Sequence, residues 1–168
     1  MKIKEISDIN KFLTEISNTD SNTKELDKEE LVILNIKDYT KDVALDNISK
    51  LIQKINNPIA IFSSKISKEE IINKILSDKS KIEYNKIENG QINSEEWDRL
   101  TKIIETLSKK EIYIDDTLES SIQEIIVKIR DLKEKKNIRM IIIDYSKVEG
   151  IWYNYLEKLQ FSEQIISW

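Results

Sequence analysis

Ile141-Ile142-Ile143-Asp144-Tyr145 reads as a buried strand that ends in a carboxylate. An apolar run with no polar alternation suits the interior of a parallel sheet covered on both faces. An aspartate at its carboxyl end is how a Walker B element sets a carboxylate beside the magnesium of a bound nucleotide. The partner of such an element is a glycine-rich loop whose backbone N–H groups wrap the phosphates. This chain has two glycines, Gly90 and Gly150, and neither lies near its first apolar run. One half of a nucleotide site is legible and the other half is missing.

Working outward from that strand, which the pattern extends over Ile138 to Tyr145, three more short runs fit the same sheet: Leu31 to Ile36, Ile59 to Phe62, and Glu111 to Asp116. Helical spacing separates them. Ala44, Leu45, Ile48, Leu51, Ile52 and Ile55 form one face before Asn56-Asn57-Pro58 stops the helix. Ser67 and Glu70 make a capping box for a helix carrying Ile71, Ile72, Ile75 and Leu76. After the Asn89-Gly90 turn, Asn93 or Ser94 caps a helix with Trp97, Leu100, Ile103, Ile104 and Leu107 on its face. Leu118 through Leu132 make another helix, and Trp152, Tyr155, Leu156 and Leu159 mark a last one near 151–166. Ile3, Ile6, Ile9, Phe12, Leu13 and Ile16 predict an amino-terminal helix, followed by a polar loop to residue 30. The expectation is a single α/β domain with a mostly parallel sheet of about four strands and helices on both faces. Its parts are a helix and loop over 1–30, a core over 31–145 and a helical tail over 146–168.

Composition bounds the chemistry. The chain has 168 residues, 39% apolar and 35% charged, enough for one buried core under a heavily charged surface. It has no cysteine and no histidine, which excludes disulfides, thiolate chemistry, histidine acid–base catalysis and the usual zinc sites. No metal site is expected. The net charge of −4 argues against strong DNA binding by the surface as a whole. The cluster Lys128, Arg130, Lys133, Lys135, Lys136 and Arg139 is interrupted by Asp131 and Glu134 and reads as a solvated helix face. No apolar run nears the roughly 18 residues of a membrane span, and no signal peptide is evident, so a cytoplasmic location is expected.

In folds of this class ligands bind at the carboxyl ends of the strands. The first such turn, Lys37-Asp38-Tyr39-Thr40-Lys41-Asp42, has no glycine. Asp38 and Asp42 put negative charge where phosphates would sit. Lys41 stands where a relic of the phosphate-binding lysine would stand, with Asp42 at the magnesium-contacting Ser/Thr position. The other reading is an ordinary strand–turn–helix connection, which the missing glycines favour. Asp115-Asp116-Thr117 reads as helix-capping chemistry.

Several segments in a row are recognisable. Ile59 to Ser63 followed by Ser67-Lys68-Glu69-Glu70, then Gly90-Gln91-Ile92-Asn93-Ser94-Glu95-Glu96-Trp97-Asp98-Arg99-Leu100, then Ile112-Tyr113-Ile114-Asp115-Asp116-Thr117, then Ile141 to Tyr145 are collinear. Together residues 31–145 resemble the ATPase core of replicative DNA helicases of the DnaB family. The resemblance implies a RecA-like, P-loop NTPase-type fold and ancestry in DNA replication. It also implies where this chain departs. Thr40-Lys41-Asp42 aligns with the family's Gly-Lys-Thr or Gly-Lys-Ser. Lys65 aligns with the glutamate that activates the attacking water. The family core continues past the Walker B strand, whereas this chain is expected to be truncated there.

Three functions follow as expectations. The first is a degenerate helicase-like module, without ATPase or helicase activity and without a cofactor, that binds a replicative helicase or replisome protein. The second is a residual nucleotide-binding protein, motivated by Lys41 and Asp144 with Asp115 as a further contributor, its ATP and magnesium at the relic site Lys41, Asp42, Lys65 and Asp144. The third is a self-associating structural protein, a homo-oligomer. The aromatics Trp152, Tyr153, Tyr155, Phe161 and Trp168 either cover the sheet or form a partner surface.

Overall fold

Lys2–Ile6 (β1), Glu30–Asn35 (β2), Ile59–Ser63 (β3), Ile112–Asp115 (β4) and Met140–Asp144 (β5) form one sheet in the order β1-β2-β5-β3-β4. Every neighbouring pair is parallel. The strand that ends in Asp144 therefore lies at the sheet centre, between β2 and β3. The structure, a computed structural model, describes residues 2–6, 11–14, 30–35, 39–117 and 121–144.

Lys41–Lys54 (α1) follows β2, and Lys68–Ser80 (α2), Tyr84–Glu88 (α3) and Ser94–Leu107 (α4) lie between β3 and β4. Ile122–Lys136 (α5) returns the chain to β5. Ile59 and Ile61 of β3 and Met140 and Ile142 of β5 share a core with Ala44, Ile48, Leu51 and Ile52 of α1 and Ile71 and Ile75 of α2. The alternate residues Ala60, Phe62, Ile141 and Ile143 are also buried, on the face that α5 covers with Ile125, Ile126 and Ile129. Burial on both faces is why these strands lack polar alternation. Each buried isoleucine contributes about 1.5–3 kcal/mol of transfer free energy.

The helix ends follow local chemistry. Ser67, Asn93 and Ser121 each cap a helix through a reciprocal box with Glu70, Glu96 and Glu124. Lys110 Nζ donates to the carbonyls of Ile52 (2.6 Å) and Ile55 (3.0 Å), closing the carboxyl end of α1 from 55 residues away or more. Gly90 has φ +67°, and a Cβ there would meet nothing within 4 Å, so backbone conformation rather than space is what glycine serves.

Three expectations need correction. The amino terminus is not one helix: residues 2–6 form β1, and only residues 11–14 are described as helical. The spacing of Ile3 and Ile6 fits either element in so short a run. The edge backbone of β2 takes β1 as partner, which satisfies a row of main-chain groups no helix would satisfy. The sheet thus has five strands, with the four expected ones as β2 to β5. Second, Trp97 and Ile104 are exposed, at 59% and 44%. The helix that carries them packs on α2 and α3 in a small outer cluster of Leu76, Ile82 and Leu100, with Ile72, Ile87, Ile92 and Ile103 alongside. It therefore buries only a narrow stripe. Third, α3 forms in the polar stretch before Asn89, where no helix is expected, and α5 begins at Ile122 rather than Leu118. The expected helix near 151–166 lies outside the described residues. Among those residues no helix is long and apolar enough to cross a membrane.

Candidate functional site

The carboxyl ends of the central strands finish level. Ser63 pairs in register with Asp144, Phe62 with both Ile143 and Asp115, and Asn35 with Ile143. This edge, with the turns that leave it, is where a parallel sheet presents groups to a ligand.

Ser63 is fully buried, and its hydroxyl accepts from the N–H groups of Lys65 (3.3 Å) and Ile66 (3.0 Å). Those bonds bend the chain sharply out of β3 toward the Ser67 cap. Lys65 is exposed in that bend. At the start of α2, Ser67 N–H donates to Glu70 Oε2 (3.0 Å) and Glu70 N–H donates to Ser67 Oγ (3.2 Å). The second carboxylate oxygen of Glu70 holds Lys41 Nζ at 2.5 Å. Burial alone would raise the Glu70 carboxyl, but Lys41 and the Ser67 donors together hold it below the usual range.

Lys41 is the first residue of α1, and Asp42 lies in its first turn; both are exposed. Thr40 is the N-cap, with no side-chain cap bond. An acid in the first turn answers the positive end of the helix, which is also the end that would attract a phosphate.

On the far side of β3, Asp116 Oδ2 accepts from the Lys68 N–H (3.0 Å) and so ties the end of β4 to the start of α2. Asp115 Oδ1 accepts from the Thr117 N–H (3.1 Å), and Asp115 Oδ2 pairs with Lys128 Nζ at 2.5 Å. Burial would raise the Asp115 carboxyl, but Lys128 and Thr117 hold it down. Contacts thus run across the whole edge, from α1 through α2 and the end of β4 to α5.

Of the residues singled out in the sequence, Lys41, Asp42 and Lys65 lie on this edge, and Lys41 is engaged by Glu70. The backbone of Asp144 ends β5 on the same edge; its side chain, and Trp152, Tyr153, Tyr155, Phe161 and Trp168, lie outside the described residues. Among the described residues no group of three or more carboxylates is placed to hold a metal ion. The basic cluster is threaded with local partners: Lys128 with Asp115, Lys135 with Asp131 (2.5 Å), Lys136 over the Tyr113 ring and Arg139 with Asn137. Sequence reading missed Glu70 as the partner of Lys41 and Asp116 as a cap for α2, because both bonds join residues far apart in the chain. The Ser121–Glu124 box was legible as Ser-x-x-Glu.

The family model for the DnaB-like helicase C terminal domain matches residues 12–152. The chain belongs to that family. It is 30% identical over 131 residues to the replicative DNA helicase DnaB of Mycobacterium intracellulare, covering 76% of this chain and 23% of that protein. It is 33% identical over 129 residues to a probable replicative DNA helicase of Trieres chinensis, covering 75% of this chain and 28% of that protein. The chain therefore spans about a quarter of the length of these relatives. Among solved structures, one ATPase domain superposes with a TM-score of 0.56 at 22% identity, over 82% of this chain and 55% of that one. A DnaB-like replicative helicase, described with its interactions with primase, superposes with a TM-score of 0.55 at 22% identity, over 82% of this chain and 38% of that one. These superpositions establish the DnaB ATPase fold for the sheet and helices described above.

Proposed function

We propose that this chain is a DnaB-type domain that neither binds nor hydrolyses ATP and that works by binding a replicative helicase or another replication protein. The observation that carries the reading is Lys41. At the position of the phosphate-binding lysine, it follows a turn with no glycine and is held by an internal carboxylate, Glu70. The residues present do not fit Mg-ATP. Phosphates need backbone N–H groups that only glycine-rich turns bring close, and here the first turn of α1 offers Asp42 instead. Magnesium in such sites relies on substrate phosphates for much of its coordination. Lys65 stands where the family has its water-activating glutamate, and it reverses the charge there.

What the chain keeps is the fold and the segments 90–100 and 112–117, which serve packing and capping. The DnaB-like helicase of similar fold interacts with primase, so primase joins the helicase itself as a partner to test.

Calorimetric titration with Mg-ATP is expected to give no saturable heat. Saturable binding that disappears in Lys41→Ala would overturn the loss of nucleotide binding. In pull-downs with the host's purified replicative helicase and primase, at least one is expected to be retained. Retention of neither, together with no replisome protein in affinity capture from the host, would overturn the binding role.

A further inference from the structure

Asn89 is the one asparagine of the chain that a glycine follows. Both residues are exposed, at the carboxyl end of α3. Any other residue after asparagine carries a side chain that hinders approach to its backbone nitrogen. At Gly90 that hindrance is absent, and the space a Cβ would fill is open to water for 4 Å around.

The contacts of the turn oppose reaction while they last. Asn89 Nδ2 donates to the Asn85 carbonyl (2.8 Å), which draws the side-chain amide back along α3. The Gly90 N–H donates to the Ile87 carbonyl (3.1 Å), and the Gln91 N–H to the Lys86 carbonyl (2.8 Å). The helix that supplies all three carbonyls is weak. It has five residues, buries none of them fully, and its N-cap, Glu83, makes no side-chain bond. Helices under about 12 residues have little stability of their own. Half-buried Ile87 and the Lys86–Glu96 pair are its ties to the outer cluster and to α4. Such a segment opens locally far more often than the sheet does.

We propose that Asn89 is a site of spontaneous deamidation, gated by the opening of α3. In the open turn the Gly90 nitrogen gives up its proton to hydroxide and attacks Cγ of Asn89. The N–Cγ bond forms, the Cγ–Nδ2 bond breaks, and the leaving nitrogen takes a proton from water to depart as ammonia. Water then opens the five-membered imide at either carbonyl, leaving aspartate or isoaspartate. Both products place a carboxylate beside Glu88, where the last carbonyls of α3 already point. Both also lack the donor to Asn85, and isoaspartate adds one carbon to the backbone before the Asn93 cap of α4. The closed turn therefore does not re-form as it was.

The test incubates the full-length protein at mildly alkaline pH, with and without unfolding urea. Peptide mapping follows the gain of about one mass unit at each asparagine, and ion exchange follows the added negative charge. In urea Asn89 is expected to convert at least tenfold faster than any other asparagine. In the folded protein it is expected to convert at least tenfold more slowly than in urea. Glu83→Ser supplies the missing cap bond of α3. It is expected to slow conversion severalfold in the folded protein and to leave the rate in urea unchanged. Another asparagine leading in urea would remove the site. Equal rates with and without urea would remove the gate. A folded rate that Glu83→Ser does not lower would show that α3 is not the gate. Any of the three overturns the proposal.

Discussion

The turn after β2 and the turn after β4 leave the same edge of one sheet, and each holds a lysine–carboxylate pair at 2.5 Å. They differ in what else the carboxylate or its neighbours do. At β4, Asp115 also accepts the Thr117 N–H, and Asp116 accepts the Lys68 N–H that opens α2. At β2, the paired carboxylate, Glu70, also accepts a backbone donor, the Ser67 N–H, but it belongs to α2; the turn itself supplies the Lys41 side chain, and Thr40 caps α1 without a side-chain bond. A residue that closes backbone donors keeps its packing duty with or without a nucleotide. A residue whose duty is to meet a phosphate loses that duty with the phosphate. Asp115 and Asp116 therefore have a structural duty of their own on this edge, whatever meets the glycine-free turn beside them.

The sharpest way to break the comparison is to remove the β4 carboxylate. Asp115→Ala strips a mostly buried acid from Lys128 and from the Thr117 N–H, and should cost about 2 kcal/mol in urea unfolding. A cost under about 0.5 kcal/mol would place the two turns on an equal footing. Glu70→Ala should cost about 1 kcal/mol, chiefly through the lost capping box. Glu70→Gln should cost less, because the amide still accepts the Ser67 N–H and only the half-exposed ion pair is lost.

Both carboxyls sit below their ordinary range in the folded protein. The unfolded chain therefore takes up protons first as pH falls, and stability declines with it. The decline should begin near the ordinary carboxylate pKa of about 4–4.5 and continue through the folded values. In Glu70→Gln/Asp115→Asn the midpoint of urea unfolding should vary less between about pH 6 and pH 3.5 than in the natural chain. An unchanged slope would mean that other carboxylates dominate acid unfolding.

The same contrast marks what was legible in the sequence. The strands β2 to β5 and the caps at Ser67 and Asn93 rest on local signals, apolar runs and Ser/Asn-x-x-Glu spacing, which a single sequence carries in full. The β1 strand does not, because its partner is β2, some 28 residues away in register, and nothing local distinguishes Lys2–Ile6 from a first helical turn. Trp97 and Ile104 fit a helical face, but how wide a face is buried depends on what the helix lies against, and α4 lies on helices rather than on the sheet. At the site, Lys41 and Lys65 stood out by residue type and alignment. That Glu70 would hold Lys41 required knowing that α1 and α2 lie side by side, which is tertiary information.

The smallest effect is the most pointed test of the β2 turn. In a double-mutant cycle, the coupling between Lys41 and Glu70 should be about 0.5 kcal/mol or less, because the lysine side chain is 47% exposed and water screens the pair. That coupling should shrink further at about 0.5 M salt. The Lys128–Asp115 pair is only slightly more sheltered, at 44% and 19% against 47% and 26%, so its coupling should be of the same order and slightly the larger. If the order is reversed, the Lys41–Glu70 contact is the tighter of the two. The β2 turn, and not the β4 turn, would then hold the stronger pair on this edge.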